Sequence, residues 1–259
     1  MLHQKLTLLA ACLIVICAPV AGQTVDEILA KHVASLGGRE KIDAIKTLKV
    51  TGHTSRRGME ITTERWLKLP GKVRLETKLP GRKMVQAYDG EIAWGIMPSR
   101  GGGEAQVRVL EARRAQMVLS QVEIFGPLVN PKNRGLQIKS MGKQDFEGTE
   151  VVVMQLTDPE GRVTNCFLDT EYYVELKREI VQTDGEGNEN KVTTFFSDYK
   201  EVAGVMLPHA IKTEGGLGRG GRGGSGGRRG RGAEMVIDKI EVNVAIDDAI
   251  FKKPETNGK

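Results

Sequence analysis

The chain has 259 residues, of which 39% are hydrophobic, and a formal net charge of +5. This length suits one sizeable domain with its own core. Five arginines lie in one glycine-rich stretch, and without these five and Lys5 the net charge is −1. The positive charge is therefore local. No apolar run after Gly22 has membrane length, so we expect the mature chain to be soluble.

The first 22 residues have the features of an export signal. A basic start precedes an apolar run from Leu8 to Val20, which ends in small residues. This pattern predicts a secretory signal peptide that is cleaved near Gly22, and hence a periplasmic mature protein. An uncleaved anchor is one alternative. Another is a lipoprotein anchored at Cys12, because Leu9-Ala10-Ala11-Cys12 spells a lipobox.

The remaining residues, 23–259, are expected to form a single domain and to act without catalysis. Cys166 is their only cysteine, so no intramolecular disulfide is possible, and its strand-like surroundings predict a buried structural thiol. Their three histidines, His32, His53 and His209, are not spaced as metal ligands. We therefore expect no metal site, no cofactor and no catalytic residues.

The sequence opens with a helix and continues with strands. Thr24 and Glu27 form a capping-box pattern, Gly37-Gly38 ends the helix, and residues 39–45 can add another turn or two. From Leu48 the apolar period changes to two, with turn signals between successive runs. The predicted strands are 48–55, 59–69, 72–79, 82–88, 91–97, 135–145, 149–157, 162–169, 173–183, 190–199, 204–214 and 233–245.

One helix interrupts these strands. Apolar residues recur at helical spacing from Val107 to Phe125, and Gly126-Pro127 follows. The predicted fold is mainly β with helical cover, in the α+β class. It is a half-open antiparallel β-barrel of about 11–12 strands, with the N-terminal helix and the inserted helix as its lid. A sheet of this width must close, curl or be covered, because open edges are sticky.

Two short helices cannot fill the concave face of so wide a sheet, and an underfilled apolar concavity is typical of a ligand site. A core packed solid by its own side chains is the alternative. The apolar residues that we expect to line the cavity are Trp66, Leu75, Met84, Tyr88, Trp94, Ile96, Met97, Met117 and Phe125.

Residues 215–232 consist almost wholly of glycine and arginine, and they predict a disordered loop. Matches to a nucleophile elbow at 223–227 and to a dinucleotide fingerprint at 216–221 fall inside it, without the strand and helix that give these motifs their function. Export argues against nucleic acid as the partner of this basic loop. Contact with an anionic membrane surface is the expected alternative to a solvated insertion without a partner. The arginines concerned are Arg219, Arg222, Arg228, Arg229 and Arg231.

Several segments together carry a resemblance to a known family. At the opening of the mature chain they are 26–31, 36–38 and 45–52, and further along they are 88–94, 196–200, 204–208 and 251–254. These segments resemble the LolA/LolB-like outer-membrane lipoprotein-sorting proteins, in a broad branch of that superfamily. The resemblance implies a half-open barrel with a helical lid, whose apolar cavity takes the acyl chains of a lipoprotein or another lipid.

Three functions follow as hypotheses. The first is a monomeric periplasmic protein that binds a lipid, a lipoprotein acyl chain or another hydrophobic ligand. The second is a structural or interaction module of the cell envelope with a filled core. The third is a hydrolase, for which the sequence offers no nucleophile and base.

Overall fold

The computed structural model describes residues 23–56, 58–97, 105–183, 189–215 and 233–255. Within these ranges the helices are α1 (Val25–Ser35), α2 (Arg39–Ala44) and α3 (Ala112–Leu119). The strands are β1 (Thr47–Arg56), β2 (Met59–Lys68), β3 (Lys72–Leu79), β4 (Arg82–Tyr88), β5 (Ala93–Met97), β6 (Gln106–Val109), β7 (Gln137–Phe146), β8 (Thr149–Thr157), β9 (Val163–Asp169), β10 (Glu175–Thr183), β11 (Glu189–Val202), β12 (Val205–Gly215) and β13 (Ala233–Val242).

These thirteen described strands form one antiparallel sheet in the order β6-β5-β4-β3-β2-β1-β13-β12-β11-β10-β9-β8-β7. Sequential strands are neighbours within each half, and β13 joins the halves by pairing with both β1 and β12. Strands β6 and β7 are the two edges, so the sheet does not close into a barrel. The predicted mainly β fold with helical cover is confirmed.

Strand β6 is the element that the sequence analysis assigned wrongly. Val107 was expected to begin the inserted helix, but Gln106–Val109 pairs with β5, and α3 starts only at Ala112. The run Val107-Arg108-Val109 is β-branched and alternating, so it suits the free edge of β5 better than a helix. The sheet therefore has one strand more than the twelve predicted.

Helix α1 begins as predicted. The Thr24 side chain accepts a hydrogen bond from the Glu27 backbone N–H at 3.3 Å, and the Glu27 carboxylate accepts one from the Thr24 N–H at 2.9 Å. The helix ends before Gly37, where a Cβ atom would lie 2.2 Å from the backbone oxygen of Gly204. Only glycine permits this approach, which seats the end of α1 on the turn between β11 and β12.

The sheet has two apolar faces. We call the side that carries the helices the helical face; its core includes Leu48, Leu67 and Val73 in one half and Val152 and Met154 in the other. The opposite side is the outer face, where two smaller clusters are centred on Trp94 and on Phe167. Because side chains alternate along a strand, a residue's register decides which face it serves.

The chain between β6 and β7, residues 110–136, connects one edge of the sheet to the other, and we call it the crossing segment. It contributes α3, whose Val118 packs in the core over the first half of the sheet, and then Leu128, which packs with Ile28 of α1 over the second half. This segment and α1 are therefore the main covers of the helical face. In the described ranges no helix has the length and apolarity needed to cross a membrane.

Several expectations fall outside the described residues. These are the signal peptide, the lipobox cysteine and residues 216–232 of the glycine-arginine loop with all five of its arginines. Gly215, which was assigned to that loop, is instead the last residue of β12 and pairs with Val192.

Candidate ligand-binding site

The structure brings part of the predicted cavity lining together. Leu75, Met84 and Tyr88 all point to the helical face, because they share the register of the buried Leu67 and Val73. Tyr88 packs against the core there, as does Phe125 from the crossing segment. Met117 lies on α3 and is 65% exposed.

Three other candidates do not join them. Trp66, Trp94 and Ile96 occupy the alternate register and point to the outer face. Trp94 is completely buried there, and its indole N–H donates to the backbone oxygen of Phe251 at 2.7 Å. The prediction that these three line a common cavity with Leu75 is therefore wrong. The side chain of Met97 lies outside the described part of the chain.

Part of the helical face extends beyond its cover. Leu67 on β2 and Val73 on β3 are buried beneath this cover. Two positions further along these strands, Arg65 and Leu75 point to the same face but are only half-buried and lie outside the described core clusters. We call this region the open patch. Its residues are Ile61, Thr63, Arg65, Leu75, Thr77, Met84 and Met235.

Arg65 is the one charged residue of the open patch. Its Nε atom is buried and has no hydrogen-bond partner among the described residues. Removal of the guanidinium from water lowers its pKa from 12.5 to about 10, so it remains protonated at neutral pH. Sequence analysis missed this residue, although its alternation with Leu67 could have placed it on the helical face.

A second apolar opening, the helix groove, runs along α1. It has a volume of about 560 Å³ and lies between α1 and residues 128–132, with Leu29 and Val33 in its lining. An ion pair between Lys132 and Asp26 at 3.9 Å bridges it near the start of α1, and Arg39 donates to Asn130 beyond the helix end. None of the predicted cavity residues lines this groove.

A polar cluster is buried where the segment around Gly126 lies against β10. The guanidinium of Arg178 donates to both carboxylate oxygens of Glu175, from Nε at 2.8 Å and from Nη2 at 2.5 Å. Burial opposes the charge of Arg178, but its ion pair with Glu175 raises the pKa above the ordinary value. Gly126 passes so close that a Cβ atom would lie 2.5 Å from Arg178 Nη2, and this contact fixes the crossing segment against the sheet.

The surroundings of this cluster are closed. Its cavity has a volume of about 20 Å³, which holds about one water molecule. Cys166 is fully buried beside it, and burial raises the pKa of this thiol well above its ordinary value. The expected buried thiol is thereby confirmed. Such a cluster stabilises a particular packing and offers no room for a substrate.

His32 connects α1 to this cluster in its neutral form. Its Nδ1 lies 2.7 Å from the backbone oxygen of Tyr173 and donates to it, while Nε2 is buried without a partner among the described residues. Burial lowers the pKa of His32 below 6.5, and the nearby Arg178 acts in the same direction. An unfolded chain would take up a proton at His32 at a pH at which the folded one does not.

We therefore predict that His32 makes the protein less stable as the pH falls below about 6.5. The measurement is the urea midpoint at pH values from about 7.5 to about 5.5, with His32→Gln for comparison. The half-buried His53 is the control, because its hydrogen bond to Asp238 raises its pKa and gives the opposite sign. A midpoint difference between wild type and His32→Gln that does not vary with pH would contradict this prediction.

A wide antiparallel sheet with helices on one face and unpaired edges is a fold that this chain shares with several solved structures. A LolA superfamily protein from Nitrosomonas europaea superposes with a TM-score of 0.58 at 15% identity, over 90% of this chain and 99% of that one. A DUF1329 family protein from Desulfovibrio piger gives 0.58 at 12% identity, over 89% and 98%.

A third solved structure is a putative outer membrane lipoprotein-sorting protein domain from Vibrio parahaemolyticus. Its TM-score is 0.55 at 12% identity, over 89% of this chain and 96% of that one. No protein-family model matches the sequence, and no curated protein matches it either. The fold that the sequence resemblance implied is confirmed, and at these identities the likeness concerns the fold alone.

Proposed function

We propose that this chain is a periplasmic protein that binds a ligand with a hydrocarbon chain, such as a lipid or a lipoprotein acyl group, and does so without catalysis. One observation carries the proposal. Apolar side chains on the helical face continue past the covered core into the open patch and remain partly accessible to water. Such surface is unfavourable in water unless something covers it.

The free energy for such binding comes from burying methylene groups. Each contributes about 0.8 kcal/mol when it leaves water, so a chain of a dozen carbons binds without any polar chemistry. The description of the Vibrio protein as a lipoprotein-sorting domain supports this class of ligand. Leu75 and Met84 are the earlier candidates that lie in the open patch. Tyr88, Met117 and Phe125 lie outside the patch and remain candidates on the same side of the sheet.

We expect the purified protein to bind dodecanoate with a dissociation constant in the micromolar range or below, measured by titration calorimetry. Met84→Gln keeps the length of the side chain but places an amide in the patch, so binding should weaken about five- to tenfold. Met141→Gln is the matched control. Met141 is 46% exposed in the opposite half of the sheet, on edge strand β7, and its replacement should leave the affinity unchanged.

Two results would count against this site. Absence of dodecanoate binding to a folded wild-type protein would favour a structural module with no ligand. If Leu29→Gln in the helix groove weakened binding and Met84→Gln did not, the ligand would lie along α1 instead. Tryptophan emission cannot serve as a proximity signal, because Trp66 and Trp94 both point to the outer face.

A further inference from the structure

Arg65 lies in a row of neighbours that cannot balance its charge. Directly across from it on the helical face are Val50 of β1 and Leu75 of β3. Along its own strand, Thr63 and Leu67 share the same face. None of these side chains carries a negative charge, and none accepts a hydrogen bond from the guanidinium.

The acidic residues of the same strands point the other way. Glu64 binds Lys78, and Glu76 binds both Arg74 and Lys83, all on the outer face. On these strands the acidic residues are thus paired on the outer face, whereas the Arg65 guanidinium on the helical face has no carboxylate partner among the described residues. This asymmetry arises from the strand register, since a shift of one residue would place Arg65 among the outer acids.

A guanidinium with a buried, unpaired Nε atom is unfavourable for folding, and an apolar side chain of similar volume would suit this position better. The proposed function supplies a reason for the charge to be there. We propose that Arg65 binds the anionic end of an amphiphilic ligand whose hydrocarbon chain lies over Leu75 and Met84. This inference rests on the open patch as the binding site and adds the chemistry of the headgroup.

The headgroup chemistry follows from the guanidinium. Its planar N–H donors match the two oxygens of a carboxylate or a phosphate, and such charge-assisted hydrogen bonds are stronger than neutral ones. Leu75 is the cross-strand neighbour of Arg65, so a chain that leaves the headgroup meets apolar surface at once. A fatty acid or a lipid with a terminal phosphate monoester fits both requirements, whereas a neutral lipid leaves Arg65 unpaired.

The test compares ligands that share one chain and differ at its end. Affinities of dodecanoate, dodecyl phosphate and dodecanol are measured at about pH 8, where the carboxylate is ionised. Acetate and inorganic phosphate serve as headgroups without a chain. The wild type should prefer the two anionic amphiphiles over dodecanol by about tenfold to a hundredfold, and the bare headgroups should bind far more weakly.

Arg65→Met should abolish this preference while retaining dodecanol binding, and its unfolding midpoint should equal or exceed that of the wild type. Arg65→Lys keeps the charge but loses the bidentate hydrogen bonding, so we expect an intermediate preference for the anionic amphiphiles. If Arg65→Met does not fold, Arg65→Lys takes its place in the test. Lys49→Met is the matched control, because Lys49 stacks on Trp66 on the outer face and its loss removes the same charge.

The outcomes separate the two proposals. If no amphiphile binds the wild type, the proposed function is wrong, and so is the proposed role of Arg65 in binding the headgroup. If all three amphiphiles bind equally well, or if Arg65→Met retains the anionic preference, ligand binding stands and the role of Arg65 is overturned. If Lys49→Met lost the preference for anionic amphiphiles as fully as Arg65→Met, the effect would come from overall charge, and the role of Arg65 would again be overturned.

Discussion

Replacing Glu175 by leucine is expected to lower the free energy of unfolding by about 3–5 kcal/mol. Glu175 is 5% exposed, and its carboxylate accepts two hydrogen bonds from Arg178. Without that carboxylate the fold must bury an uncompensated guanidinium beneath the crossing segment. Urea denaturation followed by circular dichroism measures the loss.

The double variant Glu175→Leu/Arg178→Met separates charge from packing. Because it removes both charges, it should recover most of the stability that the single change loses. An exposed pair provides the comparison: Glu241→Leu breaks the contact with Lys239 and should cost less than about 1 kcal/mol. A double variant as unstable as Glu175→Leu would show that shape matters here and the unpaired charge does not.

Local patterns predicted much of the architecture. The capping box at Thr24 and Glu27 involves residues three apart, so its geometry depends little on the rest of the chain. Alternation likewise predicted β2 to β4 as strands, although it did not keep Trp66 apart from Leu75, which lies on the other face. The hairpin turn at Asp89 was also readable, since its carboxylate accepts from the backbone N–H groups of Glu91 and Ile92.

What could not be predicted depends on distant residues. Trp94 was expected to line the cavity, but on the outer face its indole N–H donates to Phe251, more than 150 positions away in the sequence. Arg65 is a second case, in which the face could be predicted from the sequence but the surroundings could not. Its register could be inferred from Leu67, whereas the absence of a partner depends on three strands and a crossing segment that meet only in the folded protein.

The C-terminal residues 247–251 form a strap on the outer face. Asp248 accepts from Lys68 at 2.5 Å and from Lys72 at 2.9 Å, and these hydrogen bonds lower the pKa of its carboxyl to about 2. Arg74 donates to the backbone oxygen of Ile250 at 2.7 Å. The strap thereby brings the backbone oxygen of Phe251 to the indole of Trp94, and the side chains of both residues are completely buried.

Phe251→Ala is therefore expected to lower the free energy of unfolding by about 3–5 kcal/mol, through lost apolar burial and the cavity that the missing ring leaves under the strap. In a Trp66→Phe background, the emission of Trp94 should also shift to longer wavelength, because water reaches the indole. Lys252→Ala is the control: the next residue is exposed, so both readouts should stay unchanged. If Phe251→Ala costs less than about 1 kcal/mol and leaves the emission unshifted, then Trp94 is held by β3 to β5 alone and the strap contributes little to the fold.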